Sequence, residues 1–362
     1  MKNQYKYAVI FFGIIIVAIG SMSYFYSEID LKRTTSDFSD INDKADLRKS
    51  PELQNISGYI NTAKDDLKEK IEGNVVLYDF WTYSCINCIR TIPHLTAWDE
   101  KYSDDGLLII AIHRPEFEFE KDYNNVVIAT EKFGISYPVV QDNEKEIWGD
   151  FQNRYWPRKY IADHEGYIRF DHIGEGAYKE TEQVIQLLLE ERSNAMGMTL
   201  EKKQLLELNE FEHATFRTPE LYFGYSFAEG RNQLGSSEGF SKNSIVEYSL
   251  SEKFRQHYFY MDGMWKNNKD SMTLISDSGK IVLNFNAKQV NIVAANDAIL
   301  DIQYDGNIIP IENRGQDVNP DGLVIISEPR LYNIIELEKE GPHEIIIDVK
   351  SSGFEIFTFT FG

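Results

Sequence analysis

Cys85 and Cys88 are the only two cysteines of the chain and stand three residues apart in the run from Val75 to Leu95, VVLYDFWTYSCINCIRTIPHL. Two thiols at this spacing can close a disulfide with one another and open it again, whereas a structural zinc needs four ligands. A fold stapled by disulfides would need more cysteines at wider spacing. An apolar stretch, Val75–Phe80, precedes the pair, and helical spacing follows from Cys85 to Tyr102. That order puts the cysteines at the mouth of a helix, where unpaired N–H groups and the helix dipole favour an anion. Cys85 is therefore the expected attacking thiolate, and Cys88, one turn further in, the expected resolving thiol. A static disulfide or half of a metal site is the bland alternative, and the strand before and helix after the pair weigh against it.

The elements around this segment alternate. Leu107–Ile112 (LLIIAI) reads as a second buried strand, a helix is expected from about Glu120 to Phe133, and Asp163-His164-Glu165-Gly166 reads as the turn of a hairpin between Tyr160–Ile161 and Tyr167–Ile173. Tyr178–Glu191 has an amphipathic helical pattern with Val184, Leu187 and Leu188 on one face. Strand, helix, strand, helix, hairpin, helix implies a central sheet with helices on both faces. After a polar stretch near Glu201–Thr218 the pattern changes to short β-rich runs: IVEYSL, HYFYM, KIVLNF, VNIVAA, ILDIQY, LVIIS, EIIIDV and FEIFTFTF. Asp305-Gly306 is a hairpin signal between two of them. This argues for a β-sandwich or jelly roll.

The segment around the cysteines resembles the thioredoxin superfamily. Asp79, six residues before Cys85, matches a buried carboxylate that serves proton transfer at the second cysteine, which the resemblance makes a catalytic candidate. Trp81 matches an aromatic beside the site, Pro93 a proline within the active-site helix, and Pro157, in RYWPRKYIAD, a cis-proline facing the cysteines, with Trp156 beside it as a determinant of partner choice. WTYSCINC, IIAIHRPEFEFE, NRYWPRKYIAD and IGEGAYKETEQVIQLL, followed by TPELYFGY, PRLYNIIEL and a terminal FTFTFG, together look like the periplasmic carboxy-terminal region of DipZ-type proteins, in the TlpA-like branch. The resemblance implies an α/β thioredoxin-like domain at 56–193, a linker at 194–218, and an all-β jelly-roll sandwich similar to carbohydrate-binding modules at 219–362. It implies exchange of disulfides through a Cys85–Cys88 couple with extracytoplasmic protein thiols, including apocytochromes or metal-centre assembly proteins, and no dissociable cofactor. DipZ-type proteins carry a multi-helix electron-conducting membrane domain ahead of this region, and a single span stands here, so a separate transmembrane electron donor is the expected partner.

That span is Tyr7–Tyr26, about 20 residues, the length that crosses a bilayer. Lys2 and Lys6 before it favour a cytoplasmic residue 1–6 segment, a signal anchor at 7–26, a flexible tether at 27–55 and an external bulk; cleavage near Gly20, Ser21 and Ser23 would instead release a secreted protein. The net charge of −21 argues against nucleic acid as a partner. Seven scattered histidines lack ligand spacing, so no metal site is expected. His113 and Glu116–Glu118 follow a buried strand at an edge where active-site loops gather, and His113 reads more simply as a packed structural residue. Two other functions are open. Thr82, three residues before Cys85, is a feature of thiol peroxidases of peroxiredoxin type. Trp265 and the tyrosines of HYFYM could stack on sugars in a glycan- or surface-binding protein, though such residues in a sandwich more often form its core.

Overall fold

A computed structural model describes residues 47–211, 217–231 and 233–362. The expected anchor at 7–26, and the tether as far as residue 46, lie outside the described residues. Among the described residues no helix is long and apolar enough to cross a membrane.

The first region contains β1 (Gly58–Ile60), α1 (Lys64–Ile71), β2 (Val75–Trp81), α2 (Ile86–Tyr102), β3 (Leu107–His113), α3 (Tyr123–Lys132), β4 (Val139–Gln141), α4 (Glu146–Asp150), β5 (Arg158–Ala162), β6 (Ile168–Ile173) and α5 (Tyr178–Ala195). The six strands form one sheet in the order β1-β4-β3-β2-β5-β6, a thioredoxin-like fold. β2, β3 and β4 run parallel, while β5 and β6 are antiparallel additions. Every residue of β2 and β3 is buried, as expected of central parallel strands covered on both faces. Their side chains alternate between two apolar layers: Val75, Leu77 and Trp81 pack with α2 and α5, and Val76, Tyr78 and Phe80 pack with Ile147 and Phe151.

The second region contains β7 (Leu221–Tyr222), α6 (Tyr225–Ala228), β8 (Ile245–Tyr248), β9 (Tyr258–Asn267), β10 (Met272–Leu274), β11 (Gly279–Ala295), β12 (Ala298–Tyr304), β13 (Asn307–Ile308), β14 (Leu323–Ile326), β15 (Arg330–Val349) and β16 (Glu355–Phe361). These strands pair antiparallel, in the order β13-β12-β15-β11-β16-β10-β9-β8 with β14 beside β12 and β7 beside β16. Alternation sets the faces: Ala298, Leu300, Ile302 and Tyr304 of β12 point into the core, and Ile299 points out. Asp305 and Gly306 both take positive φ, 46° and 75°, the turn geometry that joins two strands of right-handed twist.

Four expectations change. KIVLNF and VNIVAA are one strand, β11, and PRLYNIIEL and EIIIDV are one strand, β15. Polar residues separate the runs, and register shifts between Ala287 and Gln289 let both strands continue through them. The helix expected to start near Glu120 starts at Tyr123, because Glu118–Lys121 form a 3-10 turn and Asp122 caps the helix through Asn124 N–H. The carboxy-terminal end of the expected tether is not free of the domain: Ser50 N–H donates to Gly166 O at 2.8 Å, and Leu53 and Ile56 pack on the apolar layer over β2. The stretch near Glu201 is likewise laid down on the first region, through Lys203 Nζ to Lys101 O at 2.7 Å and Leu206 N–H to Glu182 at 2.8 Å.

Lys49–Gly362 pack as one unit. The two regions meet on an apolar cluster of Phe117, Tyr222, Val293, Leu331 and Phe357, into which Ile86 and Ile89 of α2 also pack. The face of α2 beside the cysteines is thus a face of the joint.

Candidate active site

Cys85 is the N-cap of α2, with extended backbone, and its Sγ accepts the Cys88 backbone N–H at 3.4 Å. Both cysteines are free thiols; Cys85 is half-buried and Cys88 is 1 % exposed. One sulfur is thus offered to a partner and the other is held behind it. Burial raises the Cys88 thiol, and the adjacent Cys85 sulfur and the Asp79 charge push in the same direction, against a hydrogen bond from the Thr82 backbone.

Asp79 lies on β2 and is fully buried, and among the described residues Oδ1 has no hydrogen-bond partner. Burial lifts its carboxyl to about 7, and the charge of Lys159 opposes the rise. Lys159 stands directly across the β2–β5 ladder, equally buried, with Nζ 3.3 Å from Gly174 O. Its ammonium is pulled down by burial and held up by Asp79 and Cys88. Asp79, with its carboxyl lifted, and Lys159, with its ammonium pulled down, therefore both act electrostatically on the resolving thiol. Pro157 follows a cis peptide bond from Trp156 and leads into β5. Trp156 is half-buried against Trp148, ring centroids 4.4 Å apart. Trp81 ends β2, fully buried, with its indole edge on His113. Pro93 sits inside α2.

Residues 218–362 match the family model described as Thioredoxin like C-terminal domain. Over 316 residues, 86 % of this chain, the sequence is 32 % identical to Protein DipZ of Mycobacterium tuberculosis (strain CDC 1551 / Oshkosh). The chain is a thioredoxin-like homologue of DipZ. It spans 43 % of the length of that relative. Thiol-disulfide oxidoreductase YkuV of Bacillus subtilis (strain 168) is 27 % identical over 142 residues, covering 39 % of this chain and 94 % of YkuV. NHL repeat-containing protein 2 of Homo sapiens is 37 % identical over 128 residues, 35 % of this chain and 18 % of that protein.

Around the thioredoxin-like loop lies a polar network that the sequence alone does not assemble. Glu120, completely buried, accepts hydroxyl bonds from Thr82 and from Ser84 at 2.6 Å on one oxygen. Its other oxygen accepts the N–H groups of Glu116 at 2.6 Å and Phe117 at 2.9 Å. One carboxylate so ties the loop before Cys85 to the turn after β3. Glu116 in turn accepts the Tyr222 hydroxyl at 2.9 Å, which also reaches Glu220 at 2.9 Å. Burial, then the charges of Glu220 and Glu120, lift the Glu116 carboxyl to about 8. The motif PEFEFE is visible in the sequence, but only the fold brings its first and third glutamates under the loop.

The remaining candidates separate. Thr82, the peroxidase-like residue, spends its hydroxyl on Glu120 and approaches His113 at 3.3 Å. His113 is a packed residue: it is buried, stacks on Tyr83 at 5.5 Å, and its imidazole is pulled down to about 3 by burial. Trp265 is fully buried and donates to Asp262 O at 2.8 Å, and Tyr260 is 2 % exposed, so neither presents a ring to a sugar; Tyr258, the other tyrosine of HYFYM, is half-buried with the Arg255 guanidinium over its ring at 4.1 Å. Among the described residues no three His, Cys, Asp or Glu side chains are grouped to hold a metal.

Proposed function

We propose that the chain is a membrane-anchored, extracytoplasmic thiol–disulfide oxidoreductase acting through the Cys85–Cys88 couple. The observation that carries the reading is the asymmetry of the pair: a half-buried sulfur at the helix cap, with a buried thiol behind it beside Asp79 and Lys159. In the reducing direction the Cys85 thiolate attacks a partner disulfide, forms a mixed disulfide and releases one partner thiolate. Cys88 then gives its proton to the Asp79 carboxylate and attacks Cys85 Sγ. The second partner thiolate leaves, and two electrons have passed to the partner. In the oxidising direction the same steps run backwards. Neither direction calls for a dissociable cofactor.

Partners are extracytoplasmic protein thiols and disulfides. The resemblance to DipZ-type proteins and the apolar run at 7–26 support the anchor. The antiparallel strand order supports a jelly-roll reading of the β-rich region, with a supporting rather than a sugar-binding role. Reduction of a protein disulfide by the full chain tests the proposal. Replacing Cys85→Ser should reduce the rate to background, and undiminished exchange by that variant would refute it.

A further inference from the structure

A cleft of about 630 Å³ opens between the two regions on the side of Trp156. It lies past the carboxyl ends of β2 and β3, where open α/β sheets place their ligands. Arg114, the residue after β3, lines it. Its backbone N–H donates to Trp81 O at 3.0 Å, which fixes it beside the end of the strand that leads to Cys85. Arg114 is only 6 % exposed, yet among the described residues its guanidinium makes no hydrogen bond and no ion pair. It lies over the rings of Trp156 at 4.8 Å and Trp148 at 5.3 Å. Glu116, Glu120 and Asp142 act on it only at longer range. Those carboxylates are already engaged, by Tyr222, by the loop hydroxyls, and by the N–H groups of Ile147 and Trp148. Cation–π contact leaves Nε, a buried donor, without a hydrogen-bond partner among the described residues. A buried donor left unpaired is costly, and a carboxylate entering the cleft would satisfy it.

The surroundings say what that partner is. The chain carries −21, yet Lys121, Lys145, Arg154 and Lys269 line the cleft with Arg114. Its acidic residues, Glu116, Glu118 and Asp270, are each occupied: Glu118 pairs with Lys121 at 2.7 Å, and Asp270 accepts Glu118 N–H at 3.0 Å. A positive hollow in an acidic molecule selects an anion, and a planar guanidinium selects a carboxylate. Trp156 joins the cleft wall to cis-Pro157, and Trp156 and Cys85 pack against the same apolar cluster.

We propose that this cleft binds an acidic segment of the partner polypeptide, with one carboxylate on Arg114 between Trp148 and Trp156, and so selects cysteines that have Asp or Glu nearby in the chain. The proposal rests on the thiol–disulfide reading for its purpose, while the binding itself can be measured without redox chemistry.

A cysteine-free peptide, acetyl-Gly-Asp-Glu-Asp-Gly-amide, titrated into the reduced full chain should change tryptophan fluorescence. It should bind roughly tenfold or more tighter than the same peptide with Asn-Gln-Asn, and weaken with added salt. Arg114→Gln should abolish the preference and Arg114→Lys should restore part of it. Equal binding of the two peptides, or an unchanged preference in Arg114→Gln, would overturn the proposal. Should Arg114→Gln not fold, Lys269→Gln at the exposed rim should weaken the acidic peptide about two- to fivefold, and no change there would count against the cleft. Glutarate carries carboxylates without a peptide chain; competition by it as strong as that of the peptide would overturn the assignment to a polypeptide. In a second arm the same two sequences carry a disulfide, and Arg114→Gln should raise KM for the acidic one alone. Failure of the wild-type chain to exchange either disulfide would sink the redox reading and leave the binding result standing.

Discussion

The two regions differ in the kind of polar group they bury without a partner. In the β-rich region the interior is a continuous apolar mass, the buried amides Asn291 and Asn333 bond to each other at 2.9 Å, and the atoms left unpaired among the described residues, Gln256 Nε2, Asn284 Oδ1 and Thr360 Oγ1, belong to groups that do not titrate. In the thioredoxin-like region the groups beneath and beside the cysteines are left unsettled. Among the described residues Asp79 Oδ1, Trp81 Nε1, Arg114 Nε and Trp156 Nε1 lack partners, and Asp79 and Lys159 face each other inside the sheet. Such burial is costly, and a fold carries it where protons, electrons or ligands must be exchanged. The difference teaches that titratable groups are buried unpaired in the thioredoxin-like region, beside the proposed redox couple, and neutral ones in the β-rich region.

The largest effect should come from Cys88→Ser, which removes the resolving thiol. Turnover should fall to background while covalent Cys85–partner species accumulate, visible on non-reducing gels; a variant that still turned over would break the assignment of roles. Next comes Glu120→Ala, which strands two hydroxyls and two backbone N–H groups in the interior. It should destabilise the chain by about 3–5 kcal/mol in urea titration and slow exchange as well, because the loop before Cys85 loses its tie. Phe359→Ala, in the β-rich core, should cost a similar 3–5 kcal/mol by leaving a cavity, yet leave the exchange rate of the folded protein unchanged. A rate loss in the second variant matching the first would erase the contrast between the regions.

Asp79→Asn should be smaller and dependent on pH. The folded carboxyl titrates near 7, above its ordinary value of 3.8, so the native state holds the proton more tightly than the unfolded chain. The wild type therefore loses stability as pH rises from about 4 through about 7, and the amide escapes that loss. Its advantage should be absent at pH 4 and reach on the order of a few kcal/mol above pH 8, since each tenfold difference in proton affinity between the folded and unfolded chain is worth about 1.4 kcal/mol, while resolution by Cys88 slows. Equal stability of the two proteins across that range would show that Asp79 is not held neutral. Ile299→Ser, on the outward face of β12, should change stability by less than about 0.5 kcal/mol, as measured by thermal melting.

Much of this was legible in the sequence, and what was not has identifiable causes. The strand–loop–helix around Cys85 reads directly, because uninterrupted apolar runs and helical spacing are strong local signals. β1 and β4 span three residues each, too short for any periodicity to register. The joins within β11 and β15 misled because a bulge and a turn use the same polar residues. Glu120 and Lys159 escaped notice for another reason. A charged residue in a polar motif reads as solvated, and only the sheet order that places Lys159 opposite Asp79, or the turn that folds Glu120 under Thr82 and Ser84, reveals them as interior groups. The same holds for Arg114, whose neighbours Trp148 and Trp156 are more than thirty residues away along the chain.

Ile86 is both the first residue between the two cysteines and a side chain seated in the apolar joint with Leu331 and Phe357. In a free-standing oxidoreductase that dipeptide can be altered to retune how strongly the couple holds its electrons. Here the same alteration also loosens the seam between two halves of the molecule. Redox tuning and mechanical attachment are coupled through one isoleucine, and neither can drift without dragging the other along.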